Sequence, residues 1–236
     1  MTLTREPTLS RRATAEAVGT ALLLATIVGS GIMAERLAGG SVALALLANT
    51  LATGGALLAL IYAFGPVSGA HLNPVVTLLE AWAGRTRGRD AIVYVVAQSG
   101  GALAGVALAN VMFGLAPFAA SHHVRSGGAL VLSEAVATFG LIVIIRGTHG
   151  RPAVTPFAVA AYIAAAYWFT PSTSFANPAV TLARSLTDTF SGIRPADVVP
   201  FVLAQLAGAT LGALLFAWLV PATHRAQPVL LRGDAA

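Results

Sequence analysis

One short stretch occurs twice in this chain, and it limits the possible folds more than any other feature. His71-Leu72-Asn73-Pro74-Val75-Val76-Thr77-Leu78 recurs as Phe175-Ala176-Asn177-Pro178-Ala179-Val180-Thr181-Leu182. In each copy a Gly/Ser/Thr-rich segment without helical periodicity leads into Asn-Pro, and an apolar run follows. Asparagine is a preferred N-cap, and proline suits the first helical position, where its missing N–H is an orphan anyway. Each copy therefore reads as loop, cap and short helix, over about 73–83 and 177–187. A helix of about ten residues cannot cross a bilayer that needs about 20. In a chain this apolar, a half-crossing helix is a re-entrant element.

That premise rests on composition. The chain is 56% hydrophobic and 10% charged, against roughly 25% charged in a soluble domain. Its basic balance is all arginine, with no stripe of interleaved aromatics, so nucleic acid is a poor partner and the lipid bilayer a good one. Without cysteine there is no disulfide, thiol nucleophile or thiolate metal site. Arg5, Arg11 and Arg12 precede an apolar run, as in a signal peptide, but the run continues past Met33 and is long enough to be a retained first helix.

Six apolar spans follow in order, at about 13–34, 41–64, 91–113, 129–146, 153–170 and 196–220. The expected organisation is a polar segment 1–12, a membrane unit 13–220 and a polar tail 221–236. Six spans put both termini on one side. That side holds ten arginines, including Arg85, Arg87, Arg89, Arg146 and Arg151; the other holds Arg36, Arg125, Arg184 and Arg194. The positive-inside rule then places both termini in the cytoplasm, and the expected location is the inner (plasma) membrane.

The repeat extends beyond Asn-Pro. Glu16-Ala17-Val18-Gly19-Thr20 matches Glu134-Ala135-Val136-Ala137-Thr138, and Gln98 with Gly101 and Gly105 matches Gln205 with Gly208 and Gly212. Two halves, about 13–113 and 129–220, each contain three spans. An odd number inverts the second half, so the half-helices approach from opposite faces and meet near the midplane. The fold class is an all-α membrane protein with six transmembrane helices, two re-entrant half-helices and an inverted repeat.

With Ser68-Gly69-Ala70-His71-Leu72-Asn73-Pro74-Val75 and Asn177-Pro178-Ala179 in place, the chain resembles the major intrinsic proteins, the aquaporins and aquaglyceroporins, over about residues 13–220. Val75 departs from the family's usual Asn-Pro-Ala. The resemblance implies a homotetramer whose subunits each carry a pore for small neutral solutes.

Physical reasoning about the motif points the same way. Non-helical backbone at membrane depth survives only where it is buried in protein or lines a watery cavity. The carbonyls of Gly69, Ala70, His71 and Leu72, and of Thr173, Ser174, Phe175 and Ala176, would form a ladder of acceptors. The amides of Asn73 and Asn177 would meet at the centre as donors, besides capping their helices, where two helix N-termini also oppose cations. Glu16 and Glu134 are acids in apolar spans, which are costly and usually functional. A proton relay lacks connecting residues, so both are expected to hold loop N–H groups, as the resemblance also implies, with Gln98 and Gln205 tying down backbone similarly. His71 reads as a satisfied pore-lining residue rather than a pH gate. His122 and His123 lack a third ligand, so no metal site is expected, and no cofactor or catalytic constellation either.

The resemblance also locates a constriction. Family members usually carry arginine directly after the second Asn-Pro-Ala, where this chain has Val180. By alignment with the family's spacing the other contributors are Thr53, then Ala165 or Ala166, and Ser174 or Phe175. Such a set implies a wide, arginine-free filter. Arg184 lies one helical turn beyond Val180; it either faces solutes in the outer vestibule or pairs with Asp188. The expected function is therefore passive conduction of water, glycerol or other polyols, urea, or metalloid hydroxides such as arsenous acid. The rivals are an ion-coupled secondary transporter, which also uses inverted repeats, and a structural membrane protein with a closed pore.

Overall fold

The computed structural model describes residues 7–220, and every regular element in that range is a helix. Arg5 and the tail 221–236 lie outside the described residues. Six helices run between two faces: α1 (Leu9–Leu37), α2 (Val42–Ser68), α4 (Gly88–Met112), α5 (Gly128–Gly147), α6 (Thr155–Phe169) and α8 (Val198–Leu219). Two short ones, α3 (Pro74–Trp82) and α7 (Pro178–Arg184), follow α2 and α6. A 3₁₀ turn at Pro195–Asp197 leads into α8.

Helices α1, α2 and α4 run about a turn past the apolar runs that announce them at one end or both, because groups outside the apolar core can still satisfy their ends. Thr8 caps α1 by accepting from the Arg11 N–H, and Ser41 caps α2 through the Leu44 N–H. The fifth crossing is the shortest. Helix α6 has 15 residues, only about 22 Å of helix, and the loop from Thr170 to Asn177 continues the path inward. Helix α7 stops at Arg184, short of the expected 187. Its end tightens into i→i+3 bonds, Ser185 N–H on Leu182 and Leu186 N–H on Ala183, and the carbonyls just beyond, Ser185 and Leu186, accept from the Ser121 and Ala119 N–H groups, both at 3.0 Å.

The halves pack as the repeat requires. Helix α1 lies along α4 and α5 along α8, each pair brought close by glycines. A Cβ at Gly101 would fall 2.2 Å from the Ala17 carbonyl oxygen, and one at Gly208 2.1 Å from that of Ala135. Gly105 and Gly212 repeat the crowding one turn on, against Ala21 and Phe139. This is backbone-to-backbone packing, the usual substitute for hydrophobic drive between helices in lipid. Gly208→Val is therefore expected to abolish folded protein, since the atom it meets is main chain and cannot turn away. Gly100→Ala, where nothing lies within 4 Å, is expected to fold normally. Detergent-extracted yield on size exclusion checks both.

Trp82, Trp168 and Trp218 are exposed, as interfacial anchors are. Leu132, Val136, Leu203 and Leu211 likewise point outward, as expected of a chain whose solvent is lipid.

Candidate functional site

The two Asn-Pro copies meet in the interior. Asn73 caps α3 through its Oδ1, which accepts from the Val75 N–H at 3.0 Å. Asn177 caps α7 by accepting from Ala179 at 3.0 Å and Val180 at 3.3 Å. Each amide nitrogen then crosses to the other loop. Asn73 Nδ2 donates to the Ala176 carbonyl, and Asn177 Nδ2 to the Leu72 carbonyl, both at 2.8 Å. An amide nitrogen carries two hydrogens, so each asparagine keeps one for a passing molecule.

The loops leading to these caps are strained in matching places. Ala70 and Leu72 in one, and Thr173, Ser174 and Ala176 in the other, have φ between +47° and +61°. Left-handed backbone at non-glycine residues costs of order 1–3 kcal/mol each and persists only where the surroundings over-determine it. Here the determining groups are the two glutamates. Glu16 accepts from the His71 N–H at 3.0 Å, the Leu72 N–H at 2.7 Å, the Ser68 hydroxyl at 2.6 Å and Gln98 Nε2 at 2.8 Å. Glu134 accepts from the Phe175 and Ala176 N–H groups, both at 2.9 Å, and from Gln205 Nε2 at 2.7 Å. Turning these N–H groups toward the carboxylates leaves the neighbouring carbonyls free to face the cavity. Both glutamates are fully buried.

Two residues that sequence reasoning passed over complete the pattern. Thr77 and Thr181, each four residues beyond its asparagine, accept from Gln98 and Gln205 at 2.8 Å. The duplicated threonine was the available signal. Thr77 also bonds the ring Nδ1 of His71 at 3.1 Å.

A cavity of about 370 Å³ runs along this seam. Glu80, His149 and Arg151 line it at the face where α1 begins; Gly69 to Asn73 and Ser174 to Asn177 line its middle; Val180 and Arg184 lie toward the opposite face. Thr173 belongs to the same loop but is not among the lining residues. Thr53 lines the cavity and accepts from the Tyr167 hydroxyl at 3.3 Å.

Helix α6 presents a different face from the one expected. Ala165 is exposed and Ala166, though buried, does not border the cavity. Val159, Ile163 and Tyr167 do, at the four-residue spacing of one helical face. Ala165 falls about 200° around the helix from Ile163, so it points away. The aromatic Tyr167 therefore stands where a small residue was expected.

Arg184 also departs from one of its two readings. It makes no pair with Asp188, whose carboxylate instead accepts from the His122 N–H at 2.8 Å and meets the His122 ring at 2.9 Å. These bonds hold the Asp188 carboxyl below its usual range. Arg184 is buried, its Nε donates to the Ser191 carbonyl, and its guanidinium lies 3.5 Å from the centre of the Phe175 ring. The cavity wall is thus not free of arginine, although position 180 is. Arg125 reaches the same ring from the loop between α4 and α5, at 5.0 Å, with Nε on the Gly192 carbonyl at 2.8 Å and Nη1 on that of Ser172 at 3.2 Å. Counted as a loop charge in the sequence, Arg125 is buried.

The sequence pattern of the family described as major intrinsic protein matches residues 3–156 and 151–232. The chain belongs to the major intrinsic protein family. It is 53% identical over 223 residues to the aquaglyceroporin AqpS of Rhizobium meliloti, covering 94% of each chain. It is 32% identical to aquaporin Z of Bradyrhizobium diazoefficiens, covering 87% of this chain and 91% of that one. Among solved structures, the aquaglyceroporin of Plasmodium falciparum shares the fold at TM-score 0.68 and 19% identity, over 90% of this chain and 95% of the other. Members of this family are multi-pass membrane channels, not enzymes, and this major intrinsic protein is such a channel.

Proposed function

We propose that the protein conducts small neutral solutes passively: water, glycerol and other small polyols, urea, and hydroxylated metalloids such as arsenous acid. The observation that carries this reading is one cavity bordered by both crossed asparagines, by the loop segments 69–72 and 174–176 whose main-chain carbonyls are the available acceptors, and by apolar side chains such as Leu57, Ile61 and Ile163. A permeant exchanges its hydration for these carbonyl acceptors while Asn73 and Asn177 each offer a donor at the centre. The names of the relatives, an aquaglyceroporin and an aquaporin, agree with that class.

In this reading the constriction is bounded by Thr53, Tyr167, Ser174, Phe175 and Val180. Valine in place of the family's arginine widens it, and Arg184 supplies a cation one turn farther out. Glu16, Glu134, Gln98 and Gln205 brace the loops. The functional unit is a homotetramer in the inner membrane, with both termini cytoplasmic by the arginine count, 1–12 and 221–236 flanking the channel unit.

The test is stopped-flow swelling of proteoliposomes in a series of solutes. Glycerol and urea are expected to enter faster than in protein-free vesicles, with larger sugars excluded. Because the chain holds no cysteine, mercuric chloride is expected to leave this flux intact, as no thiolate is present to bind it. Glycerol entry at the protein-free rate would sink the reading.

A further inference from the structure

We propose that a groove between α3 and α8 seats an acyl chain of an anionic phospholipid, whose headgroup meets Arg87 and Arg89 at the membrane face where α1 begins. The site lies on the outer wall of the protein, and none of the residues lining it borders the pore cavity.

The groove encloses about 260 Å³ and is lined by Val75, Leu78 and Trp82 of α3 and by Leu206, Ala209 and Thr210 of α8. Val75, Leu79, Ala209 and Ala213 belong to one buried cluster that closes its floor. Leu78, Trp82 and Leu206 are exposed along its rims, Trp82 by 63%. The only hydroxyl lining it, that of Thr210, donates to the Leu206 carbonyl at 2.9 Å. What remains is an apolar slot open to the bilayer, the surface that an acyl chain covers. Its α3 wall is the helix that Asn73 caps, so the lipid is seated on an element that holds the pore centre.

Charge at the end of the groove selects the lipid. The chain turns directly after Trp82: the Gly84 N–H bonds the Ala81 carbonyl at 3.0 Å, and the Arg85 and Thr86 N–H groups share that of Glu80 at 2.9 and 3.1 Å. These bonds fix the turn, so Arg87 and Arg89 open α4 a few residues from the groove. The other charges of the turn are already matched, Arg85 by Glu80 at 2.8 Å and Asp90 by Arg12 at 2.7 Å. Arg87 and Arg89 are exposed and make no ion pair or side-chain hydrogen bond among the described residues. Basic side chains at a membrane face attract anionic headgroups, and a guanidinium fork matches phosphate in particular. A zwitterionic lipid would bring its own cation to the same place. A second copy of the chain seated here about a two-fold axis would set these arginines against their equivalents.

Trp82 serves as the reporter. Trp168→Phe and Trp218→Phe leave it the sole tryptophan, and its fluorescence is read in phosphatidylcholine vesicles with a minor share of lipid brominated on its acyl chains. The brominated lipid is either phosphatidylglycerol or phosphatidylcholine. The anionic probe is expected to be enriched at Trp82 about five-fold over the zwitterionic one, the factor that one arginine's attraction for an anionic headgroup supplies. Raised salt should erode this preference, and Arg87→Gln together with Arg89→Gln should bring it below about two-fold. Thr210→Phe, which fills the groove without touching the arginines, should lower quenching by the anionic probe. Trp218, made the sole tryptophan by Trp82→Phe and Trp168→Phe, reports the same face away from the groove and should show no such preference. Equal quenching of Trp82 by the two probes means bulk lipid only and overturns the proposal. So does a preference that the paired arginine change leaves intact, or one that Trp218 shares. Absence of quenching by either probe, as when a second copy fills the groove, overturns it too. If the paired change yields no folded protein, the salt dependence of the parent's preference decides.

Discussion

Glu16→Gln and Glu134→Gln are each expected to lose most of their folded protein, and what remains should conduct poorly. The carboxylates of these residues receive four and three donors respectively. Glutamine keeps the shape but offers one acceptor oxygen and one amino group. Whichever way it lies, its amino group meets a main-chain N–H that has no other partner in reach. A hydrogen bond to a charged group is worth about 1.5–3 kcal/mol, and the stranded N–H adds its own penalty of about 1–3. That loss falls on loops already strained at Ala70, Leu72, Ser174 and Ala176. With native stability near 5–15 kcal/mol, several kilocalories is a large fraction. Yield, thermal midpoint and glycerol flux of the two variants measure it. Two variants that express and conduct like the parent would show that the glutamates do not hold the loops.

Val180→Arg should reshape selectivity. Val180 is buried and borders the cavity, so an arginine there brings five donors and a fixed charge into the constriction. Passage of glycerol and larger hydroxylated solutes should fall at least ten-fold by occlusion and solute retention, whereas water falls less; ten-fold corresponds to about 1.4 kcal/mol of barrier. The new cation stands one turn from Arg184, and like charges at that spacing repel by a few tenths of a kcal/mol, a small cost beside the burial of a second guanidinium. Of the loop residues beside it, Ser174 borders the cavity, and its carbonyl is the compensation proposed. Folded yield must be read beside flux for that reason. A well-folded variant with the parent's glycerol-to-water ratio would place the constriction elsewhere.

Much of the architecture was legible because membrane constraints are strict. Apolar runs of fixed length, an odd number of them per half, and a proline after an asparagine leave few arrangements that satisfy the backbone. The duplicated Glu, Asn and Gln likewise pointed to their shared hydrogen-bond scheme, since an acid in an apolar span has few other uses. What stayed hidden depended on rotation and on contacts between distant segments. The lining face of α6 is set by how that helix packs against α2, so counting back from Asn177 led to Ala165 and Ala166 instead of Ile163 and Tyr167. Just past the early end of α7, the Ser185 and Leu186 carbonyls meet a loop some 65 residues upstream, a contact that no local pattern shows. The burial of Arg125 depends on Gly192 and Ser172 carbonyls, partners that no local pattern reveals. Thr77 and Thr181 were visible in the repeat but carry no signal of their own until Gln98 and Gln205 are seen against them.

The claim on which the rest depends is that solute moves through one continuous pore and not by alternating exposure of a site. The most direct measurement is glycerol entry into proteoliposomes across a range of concentrations, with and without an imposed proton or sodium gradient and a protonophore. A channel predicts entry rates proportional to the glycerol gradient and identical in every ionic condition. Uptake that collapses with the protonophore, or that accumulates glycerol above its external concentration, would contradict it.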